Sequence, residues 1–188
     1  CGTTHKTVKR VLARYSQPAD RYGHTGAETA RRLLDALQLQ DVLVEISETG
    51  DHYDPAARAV RLAAGNYQGR SLTAVTVAAH EVGHALQHAE GYAPLLWRTR
   101  LVQMMLTPVI IGVTRLPLAG LLVLLGGMMT LGSAVVIHLL TLPTEFDASF
   151  GRALPLLKKQ DVLYAADERH ARRLLTAAAM TYVAASLM

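Results

Sequence analysis

Residues 71–95 read SLTAVTVAAHEVGHALQHAEGYAPL, and at their centre His80-Glu81-Val82-Gly83-His84 forms an H-E-x-x-H pattern inside an apolar run. With Ser71 as N-cap, this run predicts a helix that extends to about Glu90 and stops at Gly91. Residues four apart on such a helix lie nearly one above the other, about 6 Å along the axis. His80 and His84 therefore point the same way and can place two imidazole nitrogens on one Zn²⁺ ion, at roughly 2.0–2.1 Å each. Glu81 is offset from them by about 100° around the axis, where its carboxylate can take a proton from a water at the metal. That is the arrangement for metal-assisted peptide hydrolysis. Gly83 costs a helix up to about 1 kcal/mol relative to alanine, which suggests that another element passes close by at that point.

Two histidines do not complete a hydrolytic site, which needs three protein ligands and one open position. His88 continues the spacing but lies about 12 Å along the helix from His80, too far to share its ion. The pattern HExxHxxGxxH is excluded, because Gln87 and Glu90 stand where Gly and the third His are required. Glu145, in TLPTEFDAS (141–149), is the first acidic residue after Glu90. Pro143 suits a break before a new helix and Thr144 a cap, which would put Glu145 in a first turn facing the HEVGH helix. The expectation is one zinc ion held by His80, His84 and Glu145, with water as the fourth ligand.

The 188 residues correspond to a single domain, 1–188, by length. They are 51% hydrophobic and only 18% charged, at the apolar edge of soluble proteins. Net charge is +4, with the basic residues scattered and no aromatic-interleaved basic patch. This argues against a nucleic-acid partner and for anionic lipid headgroups. Cys1 is the single cysteine, so neither an intrachain disulfide nor a cysteine zinc site is available.

Along the chain, 5–15 reads as a short basic helix and 16–26 as a turn-rich loop. A helix is predicted from Thr25 or Gly26 to about Leu39, with Ala30, Leu33, Leu34 and Leu37 on one face. DVLVEIS (41–47) and ARAVRLA (57–63) alternate as strands do, and with ETGDHYDP (48–55) as the turn they predict a hairpin. Residues 161–175 read as an amphipathic helix. The apolar 174–188 is either a core helix behind the metal or the start of a membrane span.

Residues 101–114 are uncharged, and 116–142 carry His138 as their one ionisable group. A bilayer span needs roughly 20 apolar residues. Because His84 and Glu145 must meet at one ion, the chain between them crosses an even number of times. We therefore expect a transmembrane helical hairpin inserted at about 95–142, turning near 114–117. Arg98, Arg100, Arg152, Lys158 and Lys159 would then share the active-site side, which the positive-inside tendency makes cytoplasmic.

These residues resemble the membrane-associated neutral zinc metallopeptidases of bacteria, a group within the wider gluzincins. The resemblance rests on HTG (24–26), DHYDP (51–55), the segment 71–95, LPTEFDAS (142–149) and AAAMTYVAA (177–185), which occur in the family's order. It implies zinc ligands at His80, His84 and Glu145, with Glu81 as catalytic base, and a membrane helix ahead of Cys1. Glu145-x-x-x-Ser149 is also similar to the Glu-x-x-x-Asp element of related membrane proteases, with Ser149 where those have Asp. Asp147 is a candidate to replace that Asp and orient a histidine.

The fold expected is therefore α+β and mainly helical: a gluzincin-like minimal core with a small β-hairpin or sheet, plus the membrane hairpin. The function expected is a membrane-embedded zinc endopeptidase of the bacterial cytoplasmic membrane, cutting membrane-proximal polypeptide with a Glu81-activated water at the zinc. The competing expectation is a non-catalytic adaptor that keeps the metal as a cross-link. Besides Asp147 and Ser149, the candidates for stabilising the transition state are His52, Tyr53, His170 and Tyr182, none singled out by spacing. The strand 57–63 is expected to be an edge that can pair with an extended substrate.

Overall fold

The computed structural model describes residues 2–93 and 141–186, with side chains for 8–93 and 141–180. It is mainly helical with one small sheet. Helix α1 is Gly2–Tyr15 and α2 is Gly26–Ala36. The strands are β1 Leu43–Ser47, β2 His52–Asp54 and β3 Ala59–Ala63. Helices α3 Ala64–Gln68 and α4 Leu72–Ala89 follow. One helical run then covers 141–159, here α5: α-helical at 141–146, π-helical over Asp147–Ala153 and α-helical again over Leu154–Lys159. A 3₁₀ turn at Ala165–Asp167 leads into α6, Glu168–Ser186.

Helix α4 is the axis of the molecule. Ser71 caps it by accepting from the Ala74 N–H, and Glu90 and Gly91 end it. From Leu72 to Ala85 every side is buried, which is the signature of a helix enclosed by others rather than lying on a surface. Helix α2 lays Ala30, Leu33 and Leu34 into the same core. Its start is a capping box, Thr25 Oγ1 accepting from Glu28 N–H while the Glu28 carboxylate accepts from Thr25 N–H. Helix α6 contributes Ala171, Leu174, Leu175 and Ala179. It is one helix where the sequence suggested two segments, and it takes the place of a core helix behind α4.

The sheet differs from the expected hairpin. Strands β1 and β3 pair in parallel, Leu43 opposite Ala59 through Ser47 opposite Ala63. The segment predicted to be a turn supplies β2, which pairs antiparallel with β3, His52 opposite Arg61. The order is β1-β3-β2, so β3 is central and cannot be the edge expected of it. Two contacts draw this about. The Asp51 carboxylate accepts from the Ala63 N–H at 2.8 Å and from Asn66 at 2.9 Å, anchoring the loop beyond the far end of β3. Arg61 on β3 then reaches Glu45 on β1 and Asp54 on β2, spanning all three strands.

The transmembrane hairpin does not stand as part of the fold. Among the described residues no helix is long and apolar enough to cross a membrane. Apart from Thr141 and Leu142, the segment 95–142, with His138, lies outside the described residues. The sidedness argued from that hairpin loses its basis with it. Pro143 also does not precede a new helix: the chain is already helical at 141.

Candidate metal centre

Helix α4 presents His80 and His84 one turn apart, their rings edge to face with centroids 4.8 Å apart. Helix α5 brings Glu145 between them. Its Oε2 lies 3.4 Å from His80 Nε2 and 3.3 Å from His84 Nε2, and all three residues are buried. One ligand atom from each falls within 4.8 Å of the others, a cluster that can hold a metal ion. Close approach of the two helices makes this possible. A Cβ on Gly83 would stand 2.5 Å from the Ala148 carbonyl oxygen, so glycine is what lets α5 lie this near to α4.

The protonation pattern fits a cation. Ser149 Oγ donates to the Leu175 carbonyl at 3.3 Å and lies 3.0 Å from His80 Nδ1, so it accepts from an Nδ1–H. Burial pushes the His80 pKa down and favours its neutral form. Its Nε2 is then a lone pair, buried with no hydrogen-bond partner among the described residues. It faces a carboxylate: burial alone would raise Glu145, but the two adjacent imidazoles hold it near 2. A buried lone pair opposite a carboxylate oxygen is costly unless a cation lies between them. At His84, burial favours the neutral ring, yet the contact with Glu145 raises the pKa, so a proton competes there with a metal.

Glu81 is 2% exposed, and its Oε2 lacks a hydrogen-bond partner among the described residues. Burial pushes its pKa up to about 8, despite the pull of His84 and a hydrogen bond from the Tyr53 backbone N–H. That bond places β2 alongside the turn of α4 that bears Glu81.

The remaining candidates separate. Ser149 contacts His80 directly. Asp147 does not touch a histidine as expected. Its carboxylate accepts from Gln87 Nε2 at 2.8 Å and from Arg152 Nε at 2.7 Å, and Gln87 in turn reaches His84. Tyr53 directs its hydroxyl to His88 Nδ1, 2.8 Å away, one turn beyond the cluster. His52 turns its Nδ1 to the Gly50 carbonyl. His170 packs against Tyr15 and lies 3.9 Å from Asp167, in company other than the three ligands. Tyr182 belongs to α6, and its side chain lies outside the described residues.

Sequence reasoning missed Gln87, which it used only to exclude another ligand pattern. The signal was present: Gln87 is three residues after His84, on the same helix face.

The family described as "Putative neutral zinc metallopeptidase" matches residues 2–188. A protein of Bacillus subtilis (strain 168) described as "Putative membrane protease YugP" is 43% identical over 192 residues, covering 96% of this chain and 83% of the relative. No solved structure matches the chain. With that likeness running almost end to end, and with two histidines and a glutamate converging as a zinc site requires, the chain belongs to the neutral zinc metallopeptidase family.

Proposed function

We propose that the protein is a zinc-dependent endopeptidase that hydrolyses polypeptide at or near a membrane, with one zinc ion on His80, His84 and Glu145. The observation that carries this reading is the meeting of those three side chains beside the buried, unpartnered carboxylate oxygen of Glu81. A purely structural metal cross-link would have no use for a second acidic group there.

When bound, zinc supplies Lewis acidity at the scissile carbonyl and lowers the pKa of a coordinated water toward about 7. Glu81 would take a proton from the attacking water and return it to the leaving amine. Its carboxyl is raised to about 8 by burial, and a nearby cation draws it back toward neutrality, where a group both takes and gives protons. Ser149 and Gln87 hold the histidine rings by their far nitrogens. Strand β2 is paired with β3 on one side and runs beside Glu81. Its other side is suited to pair with an extended substrate, the role first given to 57–63. Association with a bacterial membrane is supported by the relative's printed name and by the apolar, basic composition.

The test is Glu81→Gln in zinc-loaded protein. Cleavage of a fluorogenic casein is expected to fall by roughly 10²–10⁴-fold, the usual contribution of a positioned general base, while zinc content stays at one ion per chain. Undiminished cleavage would remove Glu81 from the mechanism and the endopeptidase reading with it.

A further inference from the structure

We propose that Gln87 is a positioning residue whose side-chain amide selects which nitrogen of His84 faces the metal and ties that choice to the segment bearing Glu145. The inference rests on the zinc-site reading above and deepens it.

The orientation of the amide is decided by its surroundings. One side of the group meets two atoms that only accept: the Thr144 carbonyl oxygen at 2.8 Å and Asp147 Oδ2 at 2.8 Å. Asp147 Oδ2 also accepts from Arg152 Nε, so it is not a donor to Gln87. The Gln87 NH₂ must occupy that side, because a flipped amide would set an oxygen against two oxygens. Its Oε1 is then directed at His84 Nδ1, 2.9 Å away. An amide oxygen cannot donate, so Nδ1 carries the hydrogen. In the neutral ring the lone pair is therefore on Nε2, the atom 3.3 Å from Glu145 Oε2.

Gln87 is fully buried, so water does not compete for any of these bonds. The chain of contacts continues. Arg152 braces Asp147 from its other side and pairs with Glu90, the C-cap of α4, at 2.6 Å. The path His84–Gln87–Asp147–Arg152–Glu90 leaves α4, crosses α5 and returns to α4. The tautomer of one ligand is thereby coupled to the placement of the helix that carries another. His80 is tied to α5 directly, since its Nδ1 partner Ser149 lies on that helix and bonds onward to α6.

The experiment uses the full chain and measures zinc affinity by competition with a chromophoric chelator, alongside the melting temperature of the zinc-free protein. Gln87→Met preserves bulk but cannot accept from Nδ1, and is expected to weaken zinc binding roughly 10–100-fold. Asp147→Leu removes one of the two acceptors that fix the amide and leaves Gln87, Thr144 and the ligands in place. It is expected to weaken zinc binding about tenfold. A cross-link with no influence on the metal would instead lower the zinc-free melting temperature and leave affinity unchanged. Gln87→Met that folds and binds zinc like wild type overturns the proposal. If Gln87→Met does not fold, Asp147→Leu decides: a folded Asp147→Leu that binds zinc like wild type overturns it too. A wild-type chain that binds no zinc defeats the zinc-site reading itself, a result distinct from either.

Discussion

His80 and His84 have the same side chain and opposite circumstances. Ser149 holds the first through a hydroxyl anchored on α6, and Gln87 holds the second through an amide anchored on α5. Neither partner carries a charge, so the rings are oriented without added basicity. Removing the acceptor from His80 with Ser149→Ala should weaken zinc binding by about tenfold, measured by chelator competition, and Ser149→Asp should restore it. The two histidines and Glu81 were legible in sequence because helical periodicity alone puts them on adjoining faces. Glu145 was legible through the absence of any other acid between it and Glu90, the turn residues before it and the family resemblance. Gln87 was legible only by its place three residues after His84; its partners Thr144 and Asp147 lie 57 and 60 positions away and nothing local announces them.

Between elements, the decisive contact is α4 against the π-helical part of α5. A glycine in mid-helix is ordinarily a loss, and Gly83→Ala would gain about 1 kcal/mol of helix propensity on an isolated helix. Here the added methyl meets the backbone oxygen of Ala148, which cannot rotate away. The substitution should therefore destabilise the protein, by about 1–3 kcal/mol as overpacking does, and lower zinc affinity as α5 is displaced. Thermal unfolding with and without zinc measures both effects, and an unchanged melting temperature would contradict the close approach. The sequence indicated an approach at Gly83 but not by what. The strands show a similar limit. Alternation identified β1 and β3, since period two reports which face is buried, yet it does not report which strand lies beside which. The parallel pairing depends on Asp51 anchoring the intervening loop and on Arg61 bridging both neighbours.

Across the whole molecule, Asp167 ties the two ends of the described chain. It is 2% exposed and accepts from Arg21 twice and from Tyr22 Oη once, each at 2.6 Å. Tyr22 in turn stacks on Tyr164, their centroids 4.8 Å apart. Burial works against the Asp167 carboxylate, but these bonds prevail and hold its pKa below the ordinary 3.8. An acid whose pKa is depressed by folding stabilises the fold fully above the unfolded value. That stability is lost as pH falls through 3.8 toward the folded value. Asp167→Asn should cost about 2 kcal/mol at pH 7, read from denaturant unfolding, with the gap to wild type closing below about pH 3.8. A gap that persists in acid would show that packing, rather than ionisation, sets the loss. The mainly helical character was plain from patterning. This clasp was not, since Arg21 and Asp167 are 146 positions apart and each reads as an ordinary surface charge.

Because two of the candidate ligands come from α4 and the third from 61 positions further on, a cation held by them would double as a rivet between separate lengths of polypeptide. Its binding energy is then also holding energy for the fold. On the proposed zinc-site reading, a cell short of zinc would be left with a looser polypeptide, open to quality control, so that metal supply sets how much of this protein survives.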